Sequence, residues 1–354
     1  MRIILHIGMG KTGSTSIQET LEGSDAELQK HGIAYLGAML EKSERRTAPW
    51  QHPSADLNAA YSGFVQRGRV HGRERLLSEV CEAFDAAAAV YEARGIHTLV
   101  WSNERFISHT ALFLAIATAL RNRGGHDVKA VAYVRRHENW QRSVFMQWHV
   151  KMKRNSGENL SFHDFVRRKS LKFAPALEKW DYHFGEDFLL RNFDAVGSVS
   201  ADFLSLLGIE PGTIPEVRAN DSITDEDALL RILYNHVYNS GAHVDALDAL
   251  RYVKPDEIDF SADPWELARS VWPTDDDVRF VTDSTVEDRA RVDALLDARG
   301  QTGLESSRVK TRDFDAEPAK VLSALFQMNV SLRHQVNKLT AQTRKLEARL
   351  DALS

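Results

Sequence analysis

The chain has 354 residues, enough for one large α/β domain with additions or for two domains. Its 45 lysine and arginine residues are outnumbered by 50 aspartate and glutamate residues, and the formal charge of −5 argues against nucleic acid as a partner. A single cysteine, Cys81, excludes an internal disulfide framework and thiolate metal clusters and favours a reducing compartment. Small or neutral molecules are therefore the expected partners.

Apolar runs are too short for a membrane span. None approaches the ~20 residues that a membrane helix needs. A strand is predicted from residue 2, which leaves no room for a signal peptide. We therefore expect a cytoplasmic protein without a membrane span.

A strand, a glycine-rich loop and a helix are predicted at the start of the chain. A short apolar run ends at Ile7, three glycines follow within six positions, and a predicted helix extends from Ser14 to Lys30. The first N–H groups of such a helix point into the loop, where the helix dipole also favours an anion. The candidate ligands for this anion are Lys11, Thr12, Gly13, Ser14, Thr15 and Ser16.

The loop departs from the nucleotide-binding motif Gly-x-x-x-x-Gly-Lys-Ser/Thr. Gly8 and Gly13 have the correct separation, but Ser14 follows where that motif has lysine, and the lysine of this chain is Lys11. The order His-Ile-Gly-Met-x-Lys-Thr-Gly-Ser-Thr-Ser-Ile-Gln resembles instead the phosphosulfate-binding loop of sulfotransferases that use 3′-phosphoadenosine 5′-phosphosulfate (PAPS). The resemblance is closest to bacterial members that act on carbohydrates, although the family often has proline where this chain has Gly10.

The next predicted strands bring a carboxylate towards this loop. After a short strand at 33–36, a polar loop segment with room for one helix at 41–72 could border a substrate cleft, and a helix is predicted at 73–94. The strand-like run 97–101 is followed by Ser-Asn-Glu104. Ligands of doubly wound sheets bind beyond the carboxyl ends of the strands, so we expect Glu104 to face the same crevice as the loop.

Glu104 is the candidate general base. Its position alone is equally compatible with a helix N-cap or a surface residue and with a carboxylate that deprotonates an acceptor hydroxyl. The resemblance to carbohydrate sulfotransferases, several of which use a glutamate base after a central strand, implies the catalytic role, with Lys11 as the second catalytic residue. Cytosolic members that use histidine leave His6 and His109 as alternative bases.

A second phosphate site is predicted at the most strand-like run, residues 128–134. Arg135 follows this run, and Ser143 comes eight positions later on a predicted helix. Arginine can fork onto phosphate oxygens, and a serine in the first turns of a helix can donate to the same group. The pattern is similar to the second motif of the family, which binds the 3′-phosphate. A kinase would also need a metal-binding carboxylate, whereas transfer from PAPS needs no metal, so no metal ligands are assigned.

Beyond residue 150 the resemblance becomes weaker. Helices are predicted at 161–168, 173–184 and 198–207, and a strand at 188–190. Another helix is expected to open at 218–222, where family members often supply extra contacts to PAPS, which makes Arg218 and Asn220 further candidates. The resemblance thus predicts a PAPS-binding domain over 1–240.

Residues 241–316 are predicted to form a helical extension of unknown role. The segment is acidic, and helices are expected around Trp265 and Trp272. Asp275, Asp276 and Asp277 could bind a metal, but a solvated helix start is the favoured interpretation.

Residues 317–354 show the heptad pattern of a coiled coil. Leucines recur every seven residues from Leu325 to Leu353, and the other seam positions are Leu322, Asn329, Val336, Thr343 and Leu350. A single Asn in such a seam favours a defined register and parallel pairing. We expect a homo-oligomer through 322–353; the alternative is an amphipathic helix folded back on its own domain.

These patterns predict an α/β fold, namely a P-loop-like three-layer domain with a central parallel sheet, helical insertions and a C-terminal coiled-coil helix. The expected function is transfer of the sulfuryl group of PAPS to a hydroxyl of a small-molecule or glycan acceptor. Two alternatives remain open: a P-loop nucleotide-dependent phosphotransferase, and a non-catalytic scaffold whose sulfotransferase-like domain is joined by the coiled coil.

Overall fold

The fold is built on a five-stranded parallel sheet. A computed structural model describes residues 1–51, 57–123, 125–153, 159–168, 171–219, 223–237, 263–306 and 314–351. The strands run in the order β2-β3-β1-β4-β5, and all neighbours are parallel. Their bounds are β1 Arg2–Ile7, β2 Ile33–Tyr35, β3 Thr98–Asn103, β4 Asp127–Val134 and β5 Phe188–Asn192. The predicted α/β class with a central parallel sheet is confirmed.

The described residues also form helices, some of which cover the two faces of the sheet. In chain order they are α1 Ser14–Gly23, α2 Asp25–Lys30, α3 Leu57–Val70, α4 Arg73–Glu92, α5 Thr110–Asn122, α6 His137–Phe145, α7 Phe162–Arg168, α8 Ala174–Phe184, α9 Val199–Leu206, α10 Asp225–Val237, α11 Pro264–Val271, α12 Asp275–Ser284, α13 Val286–Asp297 and α14 Pro318–Asp351. A π-helical segment, Met146–Lys151, continues α6. No helix among the described residues combines the length and the apolar character that a bilayer crossing requires.

The central strand explains the three layers. Ile3 and Leu5 of β1 pack into a core with residues of α4, α5 and α8, whereas Ile4 packs on the opposite face with residues of α1 and α9. Successive side chains of a strand point to opposite faces, so a strand with consecutive apolar residues, such as Ile3, Ile4 and Leu5 of β1, must be covered on both sides. The sheet is therefore the middle layer of a three-layer domain.

Register places the functional loops at one edge of the sheet. The last residue of β1, Ile7, lies opposite Asn103 at the end of β3, and Val134 at the end of β4 lies opposite Asn192 at the end of β5. Because all strands are parallel, the loops that follow β1, β3, β4 and β5 leave the sheet at its carboxyl edge, where ligands of such sheets bind.

Local differences from the sequence-based prediction have physical causes. The single helix expected at 14–30 is broken at Ser24, whose N–H donates to Leu21 O over 3.4 Å and whose carbonyl accepts from Leu28 N–H over 2.9 Å. The preceding Gly23 weakens the helix at this point. The helix expected to open at 218–222 begins at Asp225, and residues 220–222 lie outside the described part of the chain.

The chain divides into two compact units. One comprises Met1–Trp140, Leu171–Asp221 and Ser284–Val309 and contains the sheet. The other comprises Gln141–Ser170, Ser222–Asp283 and Lys310–Ser354, and its helices pack around a separate apolar core. The domain boundaries at 240 and 316 stay predictions.

The acidic run 275–277 begins a helix, as expected, but it is not fully solvated. Asp276 is exposed, whereas Asp277 is buried and accepts hydrogen bonds from Thr274 Oγ1 over 2.7 Å and from Arg167 Nη1 over 2.9 Å. These donors hold the pKa of the Asp277 carboxyl below its ordinary value although burial opposes this. Helix α11 holds Trp265, and Trp272 follows it directly.

Candidate functional site

The loop between β1 and α1 has an unusual backbone. Gly10, Lys11 and Gly13 have φ angles of 41°, 60° and 79°, all in the left-handed region. A residue with a side chain, such as Lys11, adopts this conformation at a cost of about 1 kcal/mol or more. Strain of this kind is retained where the surrounding structure requires the conformation, and turns of left-handed residues direct backbone N–H groups into a concave surface that suits an anion.

Helix α1 begins without a side-chain cap. Gly13 is its N-cap residue, no acidic residue lies in its first turn, and its first intrahelical bond runs from Ile17 N–H to Gly13 O over 3.1 Å. The N–H groups of the first turn of α1 therefore have no acceptor within the helix. They face the loop, where the positive end of the helix dipole also lies. An anion in the loop would satisfy them.

Two buried hydroxyls of the loop point to the same ligand chemistry. Thr12 Oγ1 and Ser14 Oγ are buried and have no hydrogen-bond partner among the residues that the structure describes. Buried polar atoms are nearly always hydrogen-bonded, so an orphaned pair at one helix start needs an explanation. An anion in the loop, whose oxygens accept hydrogen bonds, would satisfy both hydroxyls. In contrast, Ser16 Oγ already donates to Ala219 O over 3.3 Å.

Thr12→Val is expected to separate ligand binding from stability. The valine keeps the shape but removes an unsatisfied buried hydroxyl, so the melting temperature should stay the same or rise, while affinity for a phosphate ligand falls about 10- to 100-fold. Differential scanning fluorimetry with and without adenosine 3′,5′-bisphosphate measures both quantities.

Thr20→Val is the matched control on the same helix. Thr20 is also buried, but its Oγ1 accepts from Val217 N–H over 2.9 Å and donates to Ser200 Oγ over 3.3 Å. Its loss should lower the free energy of unfolding by about 1–3 kcal/mol. If Thr12→Val destabilises the protein as much and leaves affinity unchanged, the Thr12 hydroxyl has a structural role only.

Two glycines bring the loop close to its neighbours. A Cβ on Gly8 would lie 2.7 Å from Glu104 Cα and 2.8 Å from Ser14 Oγ, and a Cβ on Gly13 would lie 2.4 Å from Val199 Cγ1. The Gly8 N–H also donates to Asn103 O over 3.2 Å. Glycine at position 8 allows the loop to lie against the end of β3, and so beside Glu104, whereas glycine at position 13 allows the start of α1 to lie against Val199 of α9.

Glu104 lies next to the loop at the carboxyl edge of the sheet. A Cβ on Gly10 would be 3.9 Å from Glu104 Oε2. The residue remains accessible to solvent, yet the protein around it removes part of its hydration and raises the pKa of its carboxyl, while the charges of Lys11 and Arg105 oppose the rise. A carboxylate with a raised pKa beside a cationic loop has the properties of a general base.

The two histidines considered as alternative bases occupy different environments. His6 is completely buried, its Nδ1 shares a hydrogen bond of 2.7 Å with Ser102 Oγ, and burial lowers its pKa to about 3. His109 is half-buried before α5 and packs against Tyr61 at 5.4 Å between ring centroids. Burial and the nearby Arg105 lower the pKa of His109. His6 is thus a core residue, whereas His109 lies in the same segment as Glu104.

Arg135 connects the end of β4 to the loop. Its Nη1 donates to Lys11 O over 3.3 Å, and its Nε donates to Asp194 Oδ1 over 3.3 Å. Its guanidinium also lies 5.1 Å from the centroid of the Phe193 ring. Burial lowers the pKa of this guanidinium and Asp194 opposes the shift, so it stays protonated. Arg135 therefore supports the loop directly, besides its predicted role as a phosphate ligand.

Sequence reasoning missed two residues that shape the site. Asp194 accepts a hydrogen bond from Arg135 Nε and another from Arg136 N–H over 2.9 Å. It follows the end of β5, and this position beyond a strand end is a signal by which the sequence could have indicated it as a site residue. Trp140 Nε1 donates to Gly10 O over 2.9 Å and to Met9 O over 3.2 Å. No sequence pattern identifies Trp140, because its contact with the loop arises only from tertiary packing.

The remaining predicted ligands are less closely tied to the loop. Ser143 is half-buried on α6 and belongs to the second compact unit. Arg218 is exposed, but the residues on either side of it are hydrogen-bonded to α1. Val217 N–H donates to Thr20 Oγ1, and Ala219 N–H donates to Ser16 Oγ over 3.1 Å. Asn220 lies outside the described residues. Within the described ranges, no three His, Cys, Asp or Glu residues are grouped as metal ligands.

Fold and loop together define an α/β protein of the P-loop-like, three-layer type. No protein-family model and no curated protein matches the chain. Among solved structures, the chain is similar to the sulfotransferase domain from the Synechococcus PCC 7002 olefin synthase, at 13% identity and a TM-score of 0.28 over 76% of this chain and 93% of that one. This similarity is weak, so the function has to be inferred from the chain's own residues.

Proposed function

We propose that the protein is a PAPS-dependent sulfotransferase that sulfates a hydroxyl of a sugar or glycan. The observation that supports it best is the pair of buried hydroxyls of Thr12 and Ser14, which lack partners among the described residues. They lie in a left-handed loop at a helix N-terminus, next to Lys11 and to a carboxylate with a raised pKa. An anion site with a base beside it fits group transfer from a phosphate leaving group to a hydroxyl.

The residues of the loop fit the 5′ end of PAPS, which supplies a sulfuryl group linked to a phosphate. This end would be held, as in the loop that the sequence resembles, by Lys11, by the N–H groups at the start of α1 and by the hydroxyls of residues 12 and 14–16. Arg135 and Ser143 would bind the 3′-phosphate, with contributions from Arg218 and Asn220. Asp194 would orient Arg135 for this purpose, because it already accepts from Nε and leaves the outer guanidinium nitrogens to other acceptors.

The proposed reaction moves one sulfuryl group and one proton. Glu104 removes the proton of the acceptor hydroxyl as its oxygen bonds to sulfur, and the bond between sulfur and the 5′-phosphate oxygen breaks. The products are a sulfate ester and adenosine 3′,5′-bisphosphate, and nothing is oxidised or reduced. Lys11 and the loop N–H groups stabilise the negative charge that develops on the departing oxygen. The positive charges come from the protein itself, so the step needs no metal ion.

The transfer can be tested directly. The protein is incubated with PAPS and a mixture of mono- and oligosaccharides in the presence of a magnesium chelator, and sulfated products are sought by mass spectrometry. A sulfate ester, with release of adenosine 3′,5′-bisphosphate, supports the proposal. Magnesium-dependent turnover of ATP under parallel conditions, without sulfate transfer, would favour a phosphotransferase. A reducing cytoplasm suits the enzyme, because its one thiol, Cys81, is free and buried.

The pH dependence of turnover should report the base. Glu104 acts only when deprotonated, and the partial loss of hydration beside the surrounding protein raises the pKa of its carboxyl. We therefore expect kcat/KM to fall as the pH decreases, with an inflection above the ordinary carboxyl value of about 4.3. Glu104→Gln should remove this decrease of kcat/KM at low pH together with most of the activity, whereas His109→Asn should leave the decrease in place. If His109→Asn abolishes the decrease at low pH, the base is His109 and not Glu104.

A further inference from the structure

The C-terminal helix α14 exposes an apolar seam. Six of the eleven exposed large apolar residues that the structure describes lie on it, namely Leu322, Leu325, Phe326, Val330, Val336 and Leu339. Leu322, Val336 and Leu339 expose 68%, 47% and 52% of their surface. The start of the helix is packed against its own unit, since Val321 is buried in a core with Leu229 and Ile232 of α10. Such a continuous apolar surface marks an interaction site.

The spacing of this seam indicates which partner would cover it. The exposed apolar positions 322, 325, 336 and 339, with the half-buried Leu332, follow the alternating three- and four-residue steps of a heptad repeat, and Phe326 and Val330 are exposed beside this seam. A helix folded onto its own domain would bury its apolar stripe against that domain. A repeat of 3.5 residues matches a second helix with the same repeat. A second copy of this chain provides that helix.

Asn329 determines the orientation of the pair. It occupies the same seam position as Leu322 and Val336 and is exposed. In a parallel, in-register pair it would face its own counterpart and the two amides could hydrogen-bond. In an antiparallel pair it would face a leucine and lose its hydrogen bonds on burial. The flanking Gln335 and Gln342 are neutral, so they introduce no repulsion in the parallel arrangement.

We infer that two copies of the protein associate through α14 as a parallel, in-register coiled coil that begins at Leu322 and has Asn329 paired with itself. Valine at position 336 with leucine at the alternate seam positions also favours two strands over three or four. The association is independent of the reaction proposed above, because every residue that it uses lies on α14.

Sedimentation equilibrium of the full chain tests the association. The wild type should be a dimer. Leu339→Glu places a charge in the seam and should raise the dissociation constant about 100-fold or more, and because Leu339 is exposed, the protomer should keep its melting temperature. Asn337→Glu adds the same charge on the outer face of the helix and should remain dimeric. A monomeric wild type, or a dimer that Leu339→Glu leaves intact, would overturn the inference.

The orientation has its own test. In a Cys81→Ala background, Asn329→Cys should form a disulfide between copies under mild oxidation. A disulfide requires the two Cα atoms to lie within about 7 Å, and an in-register parallel pair satisfies this at a seam position. Asn337→Cys, on the outer face, should not cross-link. A dimer whose Asn329→Cys variant stays uncross-linked would overturn the parallel register.

Discussion

Lys11→Ala is expected to lower the affinity for adenosine 3′,5′-bisphosphate about 10- to 100-fold, because it removes a charged donor from the phosphate loop. Turnover should fall further, about 10²- to 10³-fold, since the same charge stabilises the leaving oxygen as the bond breaks. The left-handed conformation of Lys11 should disfavour alanine as much as lysine, so the fold should be retained. Calorimetric titration and a transfer assay give the two values.

Lys30→Ala is the control for this substitution. Lys30 lies on α2 and pairs with Glu27, over 2.6 Å on the surface. It should change neither affinity nor turnover. If Lys11→Ala binds the bisphosphate as well as the wild type, the loop does not hold a phosphate through Lys11, and the proposed leaving-group role fails with it.

Glu104→Gln is expected to reduce turnover about 10²- to 10⁴-fold while affinity for adenosine 3′,5′-bisphosphate changes little. Glutamine has nearly the same volume, so it should preserve the close packing against Gly8, but it cannot accept the acceptor's proton. The loss should therefore appear in kcat. Single-turnover assays at saturating PAPS measure the chemical step, and calorimetry measures the affinity.

Glu74→Gln is the matched control, because Glu74 is exposed in the first turn of α4. It should be silent in both assays. Loss of bisphosphate affinity in Glu104→Gln equal to that in Lys11→Ala would mean that Glu104 shapes the loop and is not the base. Full activity of Glu104→Gln would move the base to His109.

The strands could be predicted because they are almost entirely buried. A strand covered on both faces is a nearly continuous apolar run, and the runs that end at Ile7 and Val134 are of this kind, interrupted only by His6 and Lys129 after their first apolar residue. β3 was predicted too short because its last residues, Ser102 and Asn103, are polar. Both are buried through specific hydrogen bonds, Ser102 to His6 and Asn103 to Ala38 O, which hydropathy does not show.

The site could be predicted only as far as it depends on local sequence. The glycines and Lys11 of the loop indicate an anion site at a helix start. The remaining features depend on the folded structure. Thr12 and Ser14 have no hydrogen-bond partner among the described residues. Trp140 of α6 donates to the loop, and Arg135 donates both to Asp194 and to Lys11 O, which are contacts between residues distant in sequence. The raised pKa of the Glu104 carboxyl likewise depends on how far the folded chain around it removes its hydration.

The most direct test of the proposed function is calorimetric titration of the purified protein with adenosine 3′,5′-bisphosphate in the absence of metal, beside a titration with ATP and magnesium. The proposal predicts tight binding of the bisphosphate without metal and clear weakening in Arg135→Ala, which removes both the 3′-phosphate ligand and a support of the loop. Binding of magnesium-ATP alone would contradict the sulfotransferase assignment in favour of a phosphotransferase. Binding of neither nucleotide would contradict both and leave a scaffold joined by α14.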